Sequence, residues 1–131
     1  WICFKRPGEG WQGRPAYFLE IGPAGWRFGM GCYAAPPSAT KVLRATILAR
    51  PARFQAALDQ ALAVGFSIEG DTYARPNLPD GLASVLTEWI ARKSAYVVAN
   101  RPLGPLLSSP DLLDELRTRW QAIASLYHLL G

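Results

Sequence analysis

The run Arg27-Phe28-Gly29-Met30-Gly31-Cys32-Tyr33-Ala34 carries the spacing Gly-x-Gly-x-x-Ala, which in nucleotide-binding loops lays backbone N–H groups around a pyrophosphate. That chemistry needs a strand that ends at the first glycine and a helix that begins inside the motif, so that the helix N-terminus meets the phosphate. Here the apolar alternation carries a strand through both glycines, and Pro36 and Pro37 hold off the following helix. No acid stands ~20 residues further on to take a ribose hydroxyl, as the motif expects. The motif fails on its context, and no cofactor is expected. What remains is a strand with one face cleared of side chains, because glycine inside a strand marks a bulge or the close approach of something else. Two occupants are open: another part of the chain, such as the Phe18 ring, or a ligand resting on Gly29 and Gly31 with Arg27 and Tyr33 at its edges.

Other residues could meet an anion. Arg101 follows a β-branched run directly, and a fork of five donors at a strand end suits a carboxylate or phosphate. Lys93 precedes the same run, and Lys41 and Arg44 share one side of an expected helix. The only histidine, His128, has no nearby Ser, Cys or acid arranged as a triad, so it reads as a surface or packing residue. Glu69 and Asp71 flank Gly70 and read as solvated turn acids. No metal site is expected from so few His, Cys and clustered carboxylates.

The elements that must position these residues belong to a chain of 131 residues, half of them hydrophobic and 18% charged. That length and balance predict a single domain over residues 1–131 with one core. No apolar run approaches the ~20 residues of a membrane helix, so no membrane association is expected. The chain starts at Trp1 with no initiator Met and no leader-like segment, which reads as a trimmed piece whose site could extend upstream. Cys3 and Cys32 are too few and too far apart for a zinc cluster or a redox pair, and read as buried thiols in a reducing, cytoplasmic compartment. Residues 1–56 hold eight Lys/Arg against two acids, and residues 57–131 six against eight. Such asymmetry favours an anionic partner or a solvated basic face.

Residues 1–6 predict a strand that enters the Gly/Pro loop 7–15. "AYFLEIG" and "WRFGMGCYA" flank the turn "GPAG" and predict a hairpin that pairs Ile21 with Trp26, Leu19 with Phe28 and Tyr17 with Met30 on a core face. The other face then pairs Glu20 with Arg27, Phe18 with Gly29 and Ala16 with Gly31. Ser38 is the expected N-cap of a helix burying Ala39, Val42, Leu43, Thr46 and Ile47. Pro51 restarts a second helix, with Phe54, Leu58, Ala61 and Leu62 inside and Gly65 as its stop. "FSIEGDTY" predicts a short strand and turn, residues 80–92 a helix, and "SAYVVAN" a buried strand. Ser109-Pro110-Asp111 opens a long helix that buries Leu113, Leu116, Trp120, Ile123, Tyr127 and Leu130. The fold class expected is α+β, an antiparallel sheet with helices packed mainly on one face.

The segments "YFLEIGPAGWRFGMGCYAAPP", "LRATI", "GDTYARP", "KSAYVVANRPL" and "SPDLLDELRTRWQAIASLYHLL" resemble the C-terminal part of a bacterial family, the domain of unknown function 2461. The resemblance runs from about Ala16 to Leu130. It implies that this chain is part of a longer unit, whose upstream Arg/Asp-rich motif ends in a Lys and a Tyr. It implies a fold and no mechanism. The matching positions it offers as site or framework residues are Gly29, Gly31, Arg44, Lys93 and Arg101.

Three functions follow as expectations. The first is a cytoplasmic binding or accessory domain for a small anionic ligand, lined by the glycine face with Arg27, Tyr33, Arg44, Lys93 and Arg101. The second is an enzyme whose acid or base lies upstream, this chain supplying cationic contacts to the transition state. The third is a weak nucleic-acid binder through the basic front half, which the absence of a cationic run on any helix disfavours. Oligomeric state is not legible.

Overall fold

A computed structural model describes residues 1–8 and 12–131. The central part of the expected loop 7–15 lies outside the described residues. The elements are β1 (Ile2–Phe4), β2 (Ala16–Gly22), β3 (Gly25–Cys32), α1 (Pro37–Ala49), α2 (Pro51–Ala63), β4 (Ser67–Glu69), α3 (Ser84–Ile90), β5 (Ala95–Arg101), α4 (Asp111–Ala122) and α5 (Ala124–Leu130), with a 3₁₀ turn at Pro105–Ser108.

The strands form one antiparallel sheet in the order β1-β2-β3-β5-β4. The β2–β3 register is the expected one at every pair, from Ala16 with Gly31 to Ile21 with Trp26. Directly opposed residues share a face. Leu19, Trp26, Phe28, Met30, Val97 and Ala99 therefore meet the helices in one buried cluster with Ile47, Phe54, Leu58, Leu86, Ile123 and Leu126. This is the α+β arrangement read from the sequence. No helix among the described residues is long and apolar enough to cross a membrane.

Four expectations are corrected. The helix expected over 80–92 is confined to Ser84–Ile90, because Gly81 takes φ +78°, a turn conformation outside the helix. The long C-terminal helix is two: Ile123, with φ −109° and ψ 9°, ends α4 and caps α5. Its side chain is fully buried, and the bend there lets Leu126, Tyr127 and Leu130 turn back onto the core. Ser38 is not the cap of α1: the helix begins at Pro37 after an extended Pro36, since proline at the first helical position needs no N–H partner. Ile21, Val42, Leu62 and Leu113, expected inside, are exposed; Ala57 takes the buried position on α2 and Leu112 packs partly against the core from α4.

At the end of β5, the Trp26 indole N–H donates to the Pro102 carbonyl oxygen at 3.0 Å and anchors the chain as it leaves the sheet. The expected cap, Ser109, stands one residue ahead of the residue that caps α4, Pro110; its hydroxyl oxygen accepts from the Asp111 N–H at 3.1 Å. Both cysteines are free; Cys32 is buried and Cys3 only half-buried, short of the expectation for it.

Candidate functional site

The glycines of β3 answer first to the neighbouring strand. A Cβ on Gly29 would collide with the Val97 carbonyl oxygen, and one on Gly31 with the Ala95 carbonyl oxygen and the Tyr96 backbone. A Cβ on Gly25 would lie 2.7 Å from the Arg101 carbonyl oxygen. Glycine at these positions lets β5 approach β3 more closely than side chains would permit. Above them, Phe18 meets Tyr96 edge to face with centroids 5.8 Å apart.

Beside these rings, Trp1, Glu20, Arg27, Gly31 and Tyr33 line, with Phe18 and Tyr96, a depression of about 260 Å³ on the helix-free face. Arg27 is not free there. Its Nε donates to Glu20 Oε2 at 2.5 Å, and that hydrogen bond raises its pKa further above the usual guanidinium value. Tyr33 lies just past the end of β3 and is 78% exposed. Arg101 lines a second depression at the hairpin end, together with Trp26, Arg27 and Asn100, and its guanidinium lies 5.8 Å from the Phe28 ring centre.

The remaining two expected residues meet elsewhere. Arg44 from α1 and Lys93 from the turn before β5 line a cleft of about 270 Å³, and with them stand Lys41 and Arg92. Among the described residues no Asp or Glu lines it. The seven expected residues are thus divided among different surfaces, because alternate residues of a strand point to opposite faces. Arg27 and Gly31 face away from the helices, Arg101 shares the Trp26 row at one end of the sheet, and Lys93 precedes β5 at the other.

Local structure explains the cation cluster. Lys41 and Arg44 are three apart on α1 and hence neighbours on its surface. Arg44 is held by a hydrogen bond to the Asn77 carbonyl oxygen. Arg92, just past α3, donates to the carbonyl oxygens of Gly70 at 2.7 Å and Ile68 at 3.2 Å and pairs with Glu88 at 3.0 Å. The Lys93 N–H donates to the Asp71 carbonyl oxygen at 2.6 Å, and its ammonium lies 5.8 Å from the Tyr73 ring centre. Arg92 is therefore a strut, whereas no ion pair engages Lys41 or Lys93 among the described residues.

The cleft is graded in exposure. Lys41 and Lys93 are exposed at its mouth, and Cys32, Ile47, Trp89 and Ile90 are buried at its floor. Burial pushes the Cys32 thiol up to about 12, so the sulfur stays protonated at neutral pH and behaves as apolar surface. Among the described residues no three of His, Cys, Asp and Glu gather as a metal would require. His128 is exposed and its Nδ1 lies 3.1 Å from Arg6 Nη2, far in role from any triad.

Sequence reasoning missed Arg92, Tyr73 and Trp89 as cleft residues and gave Lys41 only a place beside Arg44. The i, i+3 spacing of Lys41 and Arg44 was the available signal; the others depend on the fold that sets the 71–73 segment against residues 91–93 through the Thr72–Arg92 bridge.

Neither a curated protein nor a solved structure matches the chain. A family model does, over residues 1–129, so the likeness starts at Trp1 and not near Ala16 as the quoted segments suggested. With essentially its whole length matched, the chain belongs to the family described as conserved hypothetical protein (DUF2461).

Proposed function

We propose that this protein is a small-anion-binding domain whose site is the cleft between α1, the end of α3 and the start of β5. One observation carries the reading: four cations from two separated stretches of chain, Lys41 with Arg44 and Arg92 with Lys93, line one cavity whose lining includes no carboxylate among the described residues. Like charges gathered in a concave, partly apolar site repel one another and raise the local concentration of anions. Two of the four are already engaged by carbonyl oxygens, which fixes the walls and leaves the two lysine ammoniums for a ligand.

The test is thermal unfolding against a panel of inorganic and organic anions. A ligand held at 100 times its Kd stabilises by about 2.7 kcal/mol, a shift of several degrees for a chain of this size. The K41Q/K93Q double variant removes the two exposed ammoniums and is expected to abolish that shift. Stabilisation by no anion, or by the same amount in the double variant, refutes the proposal.

A further inference from the structure

We infer that the anion taken by this cleft is amphiphilic, a single anionic head on an apolar body about the size of one aromatic ring, and not an inorganic or polyphosphate anion. The inference rests on the anion-site reading and specifies its ligand. It follows from how the lining is ordered. The charges without an ion pair among the described residues are at the mouth, on Lys41 and Lys93, while the deeper wall is Cys32, Ile47, Trp89 and Ile90, each under a tenth exposed.

A hydrated inorganic anion would engage the mouth alone and leave the apolar floor unused. A polyphosphate filling the cleft would press charged oxygens against the Ile47 and Ile90 side chains, which offer no donor in place of water. A carboxylate or phosphoryl head between the lysines with a ring beneath it satisfies both parts. Its charge meets ammoniums that remain in contact with solvent, and its apolar surface leaves water.

Volume sets the limit on the body. A hydrocarbon-lined cavity of roughly 150 Å³ holds a benzene molecule, so a cleft of about 270 Å³ holds one ring and a short linker. Small-molecule sites of this type are lined mainly by apolar and aromatic side chains with a few placed polar groups. Tyr73 and Trp89 supply the aromatic walls. The Lys93 ammonium beside the Tyr73 ring places cationic and aromatic contacts within reach of the same ligand. The Cys32 sulfur adds no charge to this floor.

Titration calorimetry of the full chain with phenylacetate, phenylacetamide, acetate, phenyl phosphate, phosphate and pyrophosphate separates the terms. Phenylacetate or phenyl phosphate is expected to bind at least ~10-fold more tightly than acetate, phosphate and the neutral amide, since the buried ring and the charge each contribute about that factor or more. Which of the two binds better identifies the head as carboxylate or phosphoryl, and either supports the inference. In K41Q/K93Q the aryl anions are expected to weaken by ~10-fold or more while phenylacetamide is unchanged.

Acetate, phosphate or pyrophosphate binding as tightly as the aryl anions, with the loss in K41Q/K93Q, overturns this inference and leaves the anion site standing. Phenylacetamide binding as tightly as phenylacetate overturns both, as does an aryl-anion affinity that the double variant does not change. Binding by none of the six probes also removes both.

Discussion

Arg92 donates from Nη1 to the Gly70 carbonyl oxygen at 2.7 Å, joining the end of α3 to the turn that follows β4. The same guanidinium reaches Ile68 and Glu88, so one side chain ties a helix, an edge strand and a cleft wall together. Arg92→Met is expected to lose about 2–4 kcal/mol, because hydrogen bonds to a charged group contribute about 1.5–3 kcal/mol each but are not additive. Arg92→Lys is expected to recover only part of that. Urea unfolding measures both; a loss in Arg92→Met below about 0.5 kcal/mol, the range of ordinary surface changes, would show that the strut is idle.

The close approach of β5 to β3 predicts a sharp contrast between glycines. Gly29→Ala must displace the Val97 carbonyl from the sheet and is expected to cost about 2–3 kcal/mol or more, as overpacking does. Gly104 has extended backbone and nothing within 4 Å of an added Cβ, so Gly104→Ala is expected to lie within about 0.5 kcal/mol of the parent. Thermal midpoints of the two variants decide it. Equal effects would mean that β3 and β5 are not in the contact described.

Glu20 and Arg27 face each other across β2 and β3 at 2.5 Å, yet each side chain is more than a third exposed. Solvent screening keeps such a pair small. A double-mutant cycle through Glu20→Gln and Arg27→Gln is expected to return a coupling of about 0.2–1 kcal/mol that shrinks in molar salt. A coupling of several kcal/mol, or one indifferent to salt, would contradict the exposure.

Burial of Cys32 has two measurable consequences. Alkylation at pH 8 is expected to label Cys3, which is half-buried, and to spare Cys32 until the chain unfolds, because the thiolate is the reactive form. Rapid labelling of Cys32 in the folded protein would count against its burial. The second concerns alkaline stability. The thiol titrates near 9.0 when unfolded and at about 12 when folded. Between those values the unfolded chain has lost a proton that the folded one keeps, so stability falls as pH rises, by up to about 1.4 kcal/mol per pH unit. Below that window the contribution is constant. Cys32→Ala is expected to flatten the decline above pH 9; an unchanged slope would show that the thiol does not supply it.

Periodicity made the β2–β3 hairpin legible to the residue, because a two-residue repeat, a short turn and one apolar face admit few registers. The same rule placed Trp26, Phe28 and Met30 in the core. It was less informative for the C-terminal helix. The apolar rhythm from Leu116 to Leu130 is continuous in sequence, and only the demand that Ile123 and Leu126 both reach the core breaks it into α4 and α5. Gly81 carried a turn signal, but the apolar residues around it fitted a helix equally well until packing selected Ser84 as its start.

The sequence by itself determined the fold class, the hairpin and the presence of excess cations and strand glycines, since these depend on local spacing and composition. Only the tertiary structure decided what the glycines are for and which cations act together. Gly29 and Gly31 clear the way for β5, a strand more than sixty residues further along the chain. Arg44 and Lys93 converge with Lys41 and Arg92, while Arg27 and Arg101 go to other surfaces. Spacing along a chain fixes which neighbours share a face. It carries no information about which distant segments that face will meet, and a site assembled from α1 and the approach to β5 exists only once the core has closed between them.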